Sequence, residues 1–464
     1  MSFIYILCFF IVIINIKSEP LIIQFATRYS IGDNVMESLI NNYIYTYFTV
    51  GSNKQQMEMS IRTQKGSTFL VSESCSENEK AKKFNQNKSE SFNKTLPQKK
   101  YYMYEYEGAL STDDFIISQN NNAKIEIKDY KFMLVNSLWG CYQDFLGGMI
   151  GLKSQTTEEG QEPEQTDFIK QLKEKNKIDS YVFTLVYEDD FNGKLYVGNY
   201  FHEFNKSYSE NDFISTKAGA ESFRVKNWDI NVTKIFSENT LVQNTTYLQL
   251  YYEYGIIAAS ESYQAYINKT FFKNYYVNGI CQEKLNLEKL AYFKKYKYIV
   301  CEKNYFDKST FPNISFYNVE MNINFTLSHK DLFYEYENKI YFLIVFPIYG
   351  AIVEYWLLGK PFIKKYKLFL DKDKKIIGLY FNYTESKKEE EEKERQNEII
   401  QNENNIKYIV IIIILSLVLI IAIVSLLYYF LVYKKSRRIR ANELDDDTDY
   451  IAQEDKKEEK NMIN

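Results

Sequence analysis

The sequence predicts an all-β fold, and three stretches of alternating side chains carry that prediction. Between positions 43 and 48, tyrosines alternate with other residues, an aromatic-rich pattern typical of a strand. The alternation breaks at Gly51, and apolar side chains then recur at every second position from 57 to 61. From 362 to 370, apolar residues alternate with lysines. A polar turn at 371–374 and a further apolar run complete what we expect to be a β-hairpin.

The two ends of the chain predict export and a single membrane anchor. Residues 1–18 form a short apolar stretch ending near small polar residues, which is typical of a secretory signal peptide. The run from Ile409 to Val432 carries no charge and is long enough to span a bilayer as a helix. Lysines and arginines follow it at 434–440, so the positive-inside rule places the tail at 433–464 in the cytosol. Before the span, residues 385–407 have the composition of a charged, solvated stalk.

We therefore expect a single-pass type I membrane protein of the secretory pathway, either at the cell surface or in the endolysosomal system. Asparagine sequons agree with that topology, since all of them lie between the two apolar segments. The asparagines that head an N-x-S/T motif, and are predicted glycosylation sites, are Asn87, Asn93, Asn205, Asn231, Asn244, Asn268, Asn313, Asn324 and Asn382.

Cysteine usage predicts disulfides. Once the signal peptide is removed with Cys8, the remaining cysteines are Cys75, Cys141, Cys281 and Cys301. An even number in an oxidising compartment allows three pairings on paper. Proximity in the sequence favours Cys281–Cys301, which leaves Cys75–Cys141.

Other chemistries find little support in the sequence. The only histidines, His202 and His329, have no accompanying catalytic motif, and the cysteine spacings do not suit a zinc site. No glycine-rich phosphate loop and no basic nucleic-acid face is evident. The sequence therefore predicts no metal, no cofactor and no nucleic-acid partner.

A series of motifs in fixed order resembles the pepsin-like aspartic peptidases. The run TYFTVGSNKQQMEMSIRTQKGSTFLV, from position 46, is similar to the family's "Y-x-x-x-(I/V)-G-T-P-P-Q-x-F-x-V-x-F-D-T-G-S-(S/T)-x-L-W-V". Further along, FLGGMIGL resembles "F-D-G-I-L-G-L", with Gly147 in place of the aspartate. The run WLLGKPFIKKY resembles "(I/L)-L-G-D-x-F-(L/I)-(R/K)-x-Y", with Lys360 where the family has aspartate. The resemblance covers about 43 to 380.

This resemblance implies a bilobal pepsin-like fold, with two β-barrel-like lobes at 43–205 and 206–382 and a cleft between them. YEGAL and the residues after it resemble the family's flap hairpin, which gives Tyr101 the place of the flap tyrosine. In the family, an extended peptide lies across the cleft beneath the flap. We therefore expect a peptide or protein ligand in the cleft.

The family's catalysis needs two aspartates that share a proton and activate a water molecule. Counting forward from Gly51 puts the first of them at Arg62. Counting back from Gly66 puts it at Gln64, and the two frames differ by an insertion of Gln64 and Lys65. No aspartate occurs from position 34 to 112, so the sequence predicts that the first acid is lost.

The second aspartate's position falls at Leu250 or Tyr251, and no aspartate occurs from 230 to 306. Glu253 is the only acid close to this loop. In the first half, Glu58 shares a strand with Met57 but points to the opposite face. One glutamate does not make a dyad.

Three functions follow from these observations. We favour a catalytically inactive homologue that binds a peptide or protein. The first alternative is an active aspartic endopeptidase of the secretory or endolysosomal path. The second alternative is a structural or adhesion glycoprotein whose cleft is filled by its own tyrosines, the candidates being Tyr102, Tyr104, Tyr251 and Tyr252.

The predicted topology can be tested on sealed vesicles. The basic cluster at 434–440 should hold the tail in the cytosol. Protease added outside sealed microsomes, whose lumen should enclose the residues before the span, should therefore remove only the tail. Immunoblotting with antibodies to the tail and to residues before 385 measures this. Digestion of the portion that carries the sequons, without detergent, would contradict the topology.

Overall fold

The computed structural model describes most of the chain up to Tyr380 and one short helical stretch near the C-terminus. The described residues are 19–28, 35–40, 43–76, 82–94, 100–102, 106–119, 123–138, 147–153, 164–219, 228–286, 295–348, 356–380 and 422–430. The chain divides into two compact units, Met1–Tyr383 and Thr384–Asn464.

In the second unit, residues 422–430 are helical and exposed. No helix in the described part of the chain is long and apolar enough to cross a membrane. Most of the predicted span from Ile409 to Val432 lies outside the described residues, as do the predicted signal peptide, stalk and tail. The membrane anchor therefore stays a prediction.

The regular structure described in the first unit consists mainly of β-strands, which confirms the predicted all-β fold. In chain order the strands are β1 (Leu21–Arg28), β2 (Tyr43–Val50), β3 (Gln55–Arg62), β4 (Phe69–Val71), β5 (Asn93–Lys94), β6 (Lys100–Tyr102), β7 (Tyr106–Ser118), β8 (Lys124–Leu138), β9 (Gly148–Gly151), β10 (Val182–Tyr187), β11 (Asn192–Val197), β12 (Phe213–Lys217), β13 (Asp229–Ser237), β14 (Thr240–Leu250), β15 (Ile257–Ala258), β16 (Cys281–Asn286), β17 (Tyr296–Glu302), β18 (Ile314–Asn318), β19 (Ile323–Leu327), β20 (Phe333–Tyr336), β21 (Lys339–Phe342), β22 (Ile344–Pro347), β23 (Trp356–Leu358), β24 (Phe369–Asp371) and β25 (Ile376–Tyr380). The helices are α1 (Val35–Ile40), α2 (Phe168–Glu174), α3 (Phe201–Phe204), α4 (Glu261–Ile267), α5 (Lys273–Val277), α6 (His329–Leu332) and α7 (Lys360–Lys365).

These strands form two large sheets. The first has 14 strands in the order β12-β25-β24-β10-β11-β1-β2-β3-β9-β4-β8-β7-β5, with β6 on β7. The second has 11 strands in the order β19-β18-β13-β14-β23-β15-β22-β17-β21-β20, with β16 on β17. Strands β12, β24 and β25 join the first sheet although they follow residue 205, so sheet membership crosses the predicted lobe boundary. The boundary itself stays a prediction.

The aromatic alternation at 43–48 has a simple origin in strand geometry. In β2 the side chains of Ile44 and Phe48 are buried, whereas Tyr47 on the other face is exposed. Tyr45 and Tyr47 lie on that outer face as an edge-to-face pair, with ring centroids 5.8 Å apart. The strand therefore gives its aliphatic and phenylalanine side chains to the core and its tyrosines to the surface.

The hairpin predicted from the alternation at 362–370 is correct only in its second half. Strands β24 and β25 do pair, with Phe369 opposite Gly378. The preceding stretch, however, is the helix α7 and not a strand, because Pro361 in its first turn favours helix entry. The rings of Phe362 and Tyr366, four residues apart, are in contact, with centroids 4.9 Å apart and planes tilted by 42°, so their spacing fits a helical turn as well as a strand.

One arrangement of strands occurs twice and positions the candidate site. In the first copy, β9 lies between β3 and β4, parallel to β3 and antiparallel to β4. In the second copy, β23 lies between β14 and β15 with the same directions. In each copy a short connection joins the two outer strands. Residues 63–68 (the first loop) connect β3 to β4, and residues 251–256 (the second loop) connect β14 to β15.

A buried disulfide staples the second sheet. Cys281 and Cys301 are bonded and lie directly opposite each other on β16 and β17, which confirms that predicted pair. Cys75 is buried, and Cys141 lies outside the described residues. The Cys75–Cys141 pair therefore stays a prediction.

Replacing both Cys281 and Cys301 by alanine should lower stability. The sequence separation is 20 residues, and closing a loop of that length stabilises a protein by about 3 kcal/mol in the chain-entropy model. Urea unfolding of the full-length protein, followed by tryptophan fluorescence, measures the change, with reduced wild-type protein as the control. A double variant as stable as the oxidised wild type would contradict this role.

Candidate functional site

The first loop sits at the end of β3, where the family pattern has its first aspartate. Counting back from β4, with Phe69 in the place of the leucine of L-W-V, puts that position on Thr63, one residue after the position reached by counting forward from Gly51. The backbone is held closely here, since a Cβ added to Gly151 would come within 2.6 Å of the Gly66 carbonyl carbon. The Leu152 N–H also donates to the Arg62 carbonyl oxygen over 2.8 Å. The end of β9 therefore fixes the path of the first loop.

The second loop is held in the same manner by β23 and the residues after it. The Tyr251 N–H donates to the Leu358 carbonyl oxygen over 2.9 Å, and the Lys360 N–H donates to the Tyr254 carbonyl oxygen over 2.7 Å. A side chain at Gly359 would clash with the carbonyl oxygens of the second loop. Glycine is therefore required at the equivalent place in both copies.

Two buried hydrogen bonds join the loops to each other. The Gln64 side-chain Nε2 donates to the Leu250 carbonyl oxygen over 2.7 Å. The Thr63 Oγ1 donates to the Glu253 Oε2 over 3.2 Å. The place where two carboxylates would face each other thus contains a threonine hydroxyl and one carboxyl, and it is closed by side chains of the protein itself.

Glu253 is a buried acid without a partner acid in either loop. Its side chain is only 4 % exposed. Burial raises the pKa of Glu253, while the Arg62 guanidinium and the Thr63 hydrogen bond oppose that shift. The Arg62 guanidinium carbon itself lies 4.8 Å from the centroid of the Tyr43 ring, a cation–π contact. A carboxyl in this setting favours its neutral form.

Tyrosines fill the second loop. Tyr251 and Tyr252 are both buried, and Tyr251 stacks on Tyr254 with ring centroids 5.3 Å apart. The Tyr252 hydroxyl has no hydrogen-bond partner among the described residues, and burial raises its pKa. At the two predicted positions of the second aspartate, Leu250 and Tyr251, the chain therefore has buried apolar and aromatic side chains and no acid.

A helix from the N-terminal part of the chain covers this aromatic surface. Met36, Leu39 and Ile40 of α1 are buried in one apolar cluster with Tyr251 and Tyr254. Their burial against the second loop removes apolar area from water, which stabilises the fold by roughly 25 cal/mol for each Å² buried. The second loop is thus packed on its outer side as well.

The structure separates the predicted site residues. Arg62 is the last residue of β3 and Gln64 bridges the loops, whereas Thr63 between them faces Glu253. The two counting frames for the first acid fall on either side of Thr63, because they are anchored on glycines and not on the apolar strand after the loop, and the position of the first acid stays a prediction. Leu250 ends β14, and Tyr251 opens the second loop; which of them takes the place of the second aspartate stays a prediction.

The remaining predicted residues belong to other segments of the chain. Tyr101 lies on β6 opposite Gly108 of β7, a hairpin that agrees with the flap, and its role in the flap stays a prediction. Tyr104 lies outside the described residues. In the part of the chain that the structure describes, no group of His, Cys, Asp and Glu is arranged to hold a metal ion.

Glycosylation also stays a prediction, but the surroundings of most sequons are now defined. Exposed sequon asparagines are Asn87, Asn93, Asn231, Asn244 and Asn324; half-buried ones are Asn205, Asn268 and Asn313; and Asn382 lies outside the described residues.

Glu253→Gln should stabilise the protein at neutral pH. Because burial raises the pKa of Glu253 above the unfolded value of about 4.3, the native state keeps a proton that the unfolded state loses. Wild-type stability therefore falls as the pH rises through the interval between these two pKa values. Glutamine still accepts the Thr63 hydrogen bond but does not ionise.

Thermal unfolding of the full-length protein between pH 4 and 8 measures this effect. The midpoint of Glu253→Gln should fall less with rising pH than that of wild type. Asp229→Asn serves as a comparison, since burial raises the pKa of Asp229 to about 7. Asp229 should therefore make its own contribution to the fall of the unfolding midpoint with rising pH. Identical slopes for Glu253→Gln and wild type would show that Glu253 has no raised pKa.

Comparison with known families agrees with the geometry of the two loops. The model of the family described as eukaryotic aspartyl protease matches residues 42–380. A search of curated proteins finds no match. The matched residues span both strand–loop–strand copies and make up well over half of the chain. The chain belongs to the eukaryotic aspartyl protease family, the pepsin-like aspartic peptidases.

Proposed function

We propose that this protein is a catalytically inactive, membrane-anchored member of its family that binds a peptide or protein in the secretory pathway or at the cell surface. One observation carries the proposal: the Thr63 hydroxyl donates to Glu253 where two carboxylates would share a proton. The role is therefore recognition and not hydrolysis.

The chemistry of hydrolysis supports the inactive state. An aspartic dyad works because two close carboxylates cannot both ionise, so one acts as acid and the other as base. Thr63 and Tyr251 supply neither group. Glu253 is 4 % exposed and already accepts the Thr63 hydrogen bond, so it is not placed to activate a water molecule in an open cleft.

The retained framework supports binding. The tight glycine contacts at Gly151 and Gly359 keep both loops in position, although the acids that such positioning would serve are lost. The β6–β7 hairpin, which corresponds to the flap, also remains. In this fold family, main-chain hydrogen bonds beneath the flap hold an extended peptide, and those bonds need no catalytic acid.

A second candidate function is a structural or adhesion glycoprotein with a filled cleft. The burial of Tyr251 and Tyr252, together with the cover of α1 over the second loop, favours this candidate. The active endopeptidase is disfavoured, because it would need a second acid that neither loop contains.

One incubation distinguishes the three functions. Full-length protein in detergent is mixed with a peptide library from about pH 3 to 7, the range in which carboxylate dyads titrate. Mass spectrometry then measures both cleavage and retention of intact peptides. Retention without cleavage is the expected result. Neither retention nor cleavage would favour the filled cleft, and pepstatin-sensitive cleavage would overturn the proposal.

Restoring both acids should not restore activity. Thr63→Asp with Tyr251→Asp places an aspartate at each position, but Lys65 and Glu253 still occupy the places of the Asp-Thr/Ser-Gly glycines. Glu253 would face the new acid across the existing Thr63 contact, and a misplacement of about 1 Å can cost roughly 100-fold in rate. We expect no turnover of an unstructured substrate at acid pH.

The matched control is Thr63→Val with Tyr251→Phe, which changes the same positions without adding acids. Turnover in a variant with only one restored aspartate would contradict this account, because it would mean that Glu253 already serves as the second acid. Loss of that turnover on adding Glu253→Gln would identify it.

A further inference from the structure

A cavity of about 340 Å³ is lined by residues of β19, from the second sheet, and of β24 and β25, from the first. Its volume is at the small end of the range of roughly 300–1,000 Å³ that ligand pockets span, so it suits one small cyclic group. The described lining includes five aromatic side chains, those of Phe201, Tyr208, Tyr366, Phe369 and Tyr380.

Four of these aromatic side chains form a packed wall on the first sheet. Phe369 of β24 and Tyr380 of β25 have ring centroids 5.3 Å apart. The Tyr208 ring lies 4.8 Å from that of Tyr380 and 4.9 Å from that of Phe201, measured between centroids. All four residues are buried, so each ring holds its neighbours in place. The wall is therefore a fixed aromatic surface.

The part of the lining that belongs to the second sheet carries a predicted glycosylation site. Asn324 lines the cavity and heads the sequon Asn-Phe-Thr. It is exposed, and its side chain makes no hydrogen bond to any other residue that the structure describes. It also lies on β19, which ends the described order of the second sheet. The amide of Asn324 is thus available for attachment of a sugar at the mouth of the cavity.

Tyr366, directly after α7, ties the aromatic lining to this sequon. Its hydroxyl accepts from the Thr326 N–H over 2.6 Å and donates to the Thr326 carbonyl oxygen over 3.0 Å. Its ring stands edge-to-face against that of Phe325, with centroids 5.0 Å apart. Phe325 and Thr326 are the second and third residues of the sequon. The Tyr366 ring is therefore held at a fixed place beside Asn324.

The chemistry of an N-linked glycan matches this lining. Its first sugar, N-acetylglucosamine, is a small ring with C–H groups on its faces and polar groups around its edge. The C–H groups carry partial positive charge, which the negative faces of aromatic rings attract. A sugar attached to a lining residue also avoids most of the entropy that a free ligand loses on binding.

We propose that this cavity holds the first N-acetylglucosamine of a glycan on Asn324, which packs against the aromatic wall and so joins β19 to the first sheet. The proposal rests on the secretory location included in the proposed function, because N-glycans are added in the endoplasmic reticulum. It does not depend on whether the protein binds a peptide.

The test uses full-length protein in detergent, produced in cells that attach oligomannose N-glycans. Peptide-N-glycosidase cuts the bond between asparagine and the first sugar, and mass spectrometry measures the release at each asparagine. In the folded protein, release at Asn324 should be at least about tenfold slower than at Asn244, because the first sugar must leave the cavity before the enzyme reaches it. In denatured protein both should be released rapidly.

Asn244 is the matched control. It is also an exposed sequon asparagine on a strand of the second sheet, and it is not part of the described lining. Asn324→Gln should lower the thermal unfolding midpoint by about 2 °C or more, whereas Asn244→Gln should leave it unchanged. Trimming all glycans to their first sugar with an endoglycosidase should preserve this difference, since only the first sugar lies in the cavity.

Two variants of the wall test the cavity itself. Tyr366→Leu removes the ring and both hydrogen bonds to the sequon, so release at Asn324 should approach the rate at Asn244. Tyr208→Leu, on the first-sheet wall, should act in the same direction. Circular dichroism checks folding, and the comparison of Asn324 with Asn244 in wild type stands even if neither variant folds.

Equal release at Asn324 and Asn244 in the folded protein, or an unmodified Asn324 in protein that is modified at other sequons, would overturn the proposal. Slow release that neither folded wall variant changes would also overturn it. Absence of sugar at every sequon would defeat both this proposal and the secretory location. None of these outcomes bears on catalytic inactivity. Conversely, pepstatin-sensitive cleavage of peptides would defeat the proposed function and leave the place of the glycan untouched.

Discussion

The contact between the two loops is the constraint on which the centre of this molecule depends. Thr63 donates to Glu253, and Gln64 donates to the Leu250 carbonyl oxygen, so each loop satisfies buried polar groups of the other. Buried polar groups that lose their partners cost roughly 1–3 kcal/mol each. The loops can therefore separate only at a considerable cost, and a substrate cannot easily replace these bonds.

The sheets explain why the two loops meet at this point. Each loop connects the two outer strands of its copy. The strand between them, β9 in the first copy and β23 in the second, pairs with both and so fixes the ends of the loop. Trp228, directly before β13, links the second sheet to the end of β9. Its indole Nε1 donates to the carbonyl oxygen of Leu152, which directly follows β9, over 2.8 Å. The strands that would position two acids are present, whereas the loops between them lack both the acids and the glycines of the family's Asp-Thr/Ser-Gly motif.

Much of this could be predicted from the sequence, because strand periodicity and motif order are local signals. The all-β class and the Cys281–Cys301 pair both follow from such signals. The error at α7 arose because Phe362 and Tyr366 fit both a strand and a helix, and the decisive signal, Pro361, received no weight.

The site was less predictable, since it depends on contacts between residues about 190 positions apart. Neither the Thr63–Glu253 bond nor the cover of α1 over Tyr251 has a signature in the sequence. The position of Thr63 did have one, because counting back from the apolar strand β4 reaches it, one residue after the position counted from Gly51. The sequon at Asn324 is evident in the sequence, but the cavity beside it appears only when β19, β24 and β25 are assembled.

The most direct test of the central claim is the protonation state of Glu253 in the folded, full-length protein. Infrared difference spectra between wild type and Glu253→Gln, recorded from pH 4 to 8, report the pH at which that carboxyl loses its proton. The predicted result is that the protonated-carboxyl band assigned to Glu253 persists to a higher pH than that of a glutamate in the unfolded chain, since burial raises the pKa of Glu253. Loss of that band at the pH of an ordinary glutamate would contradict the account, because it would mean that the contact between the loops does not favour the neutral acid.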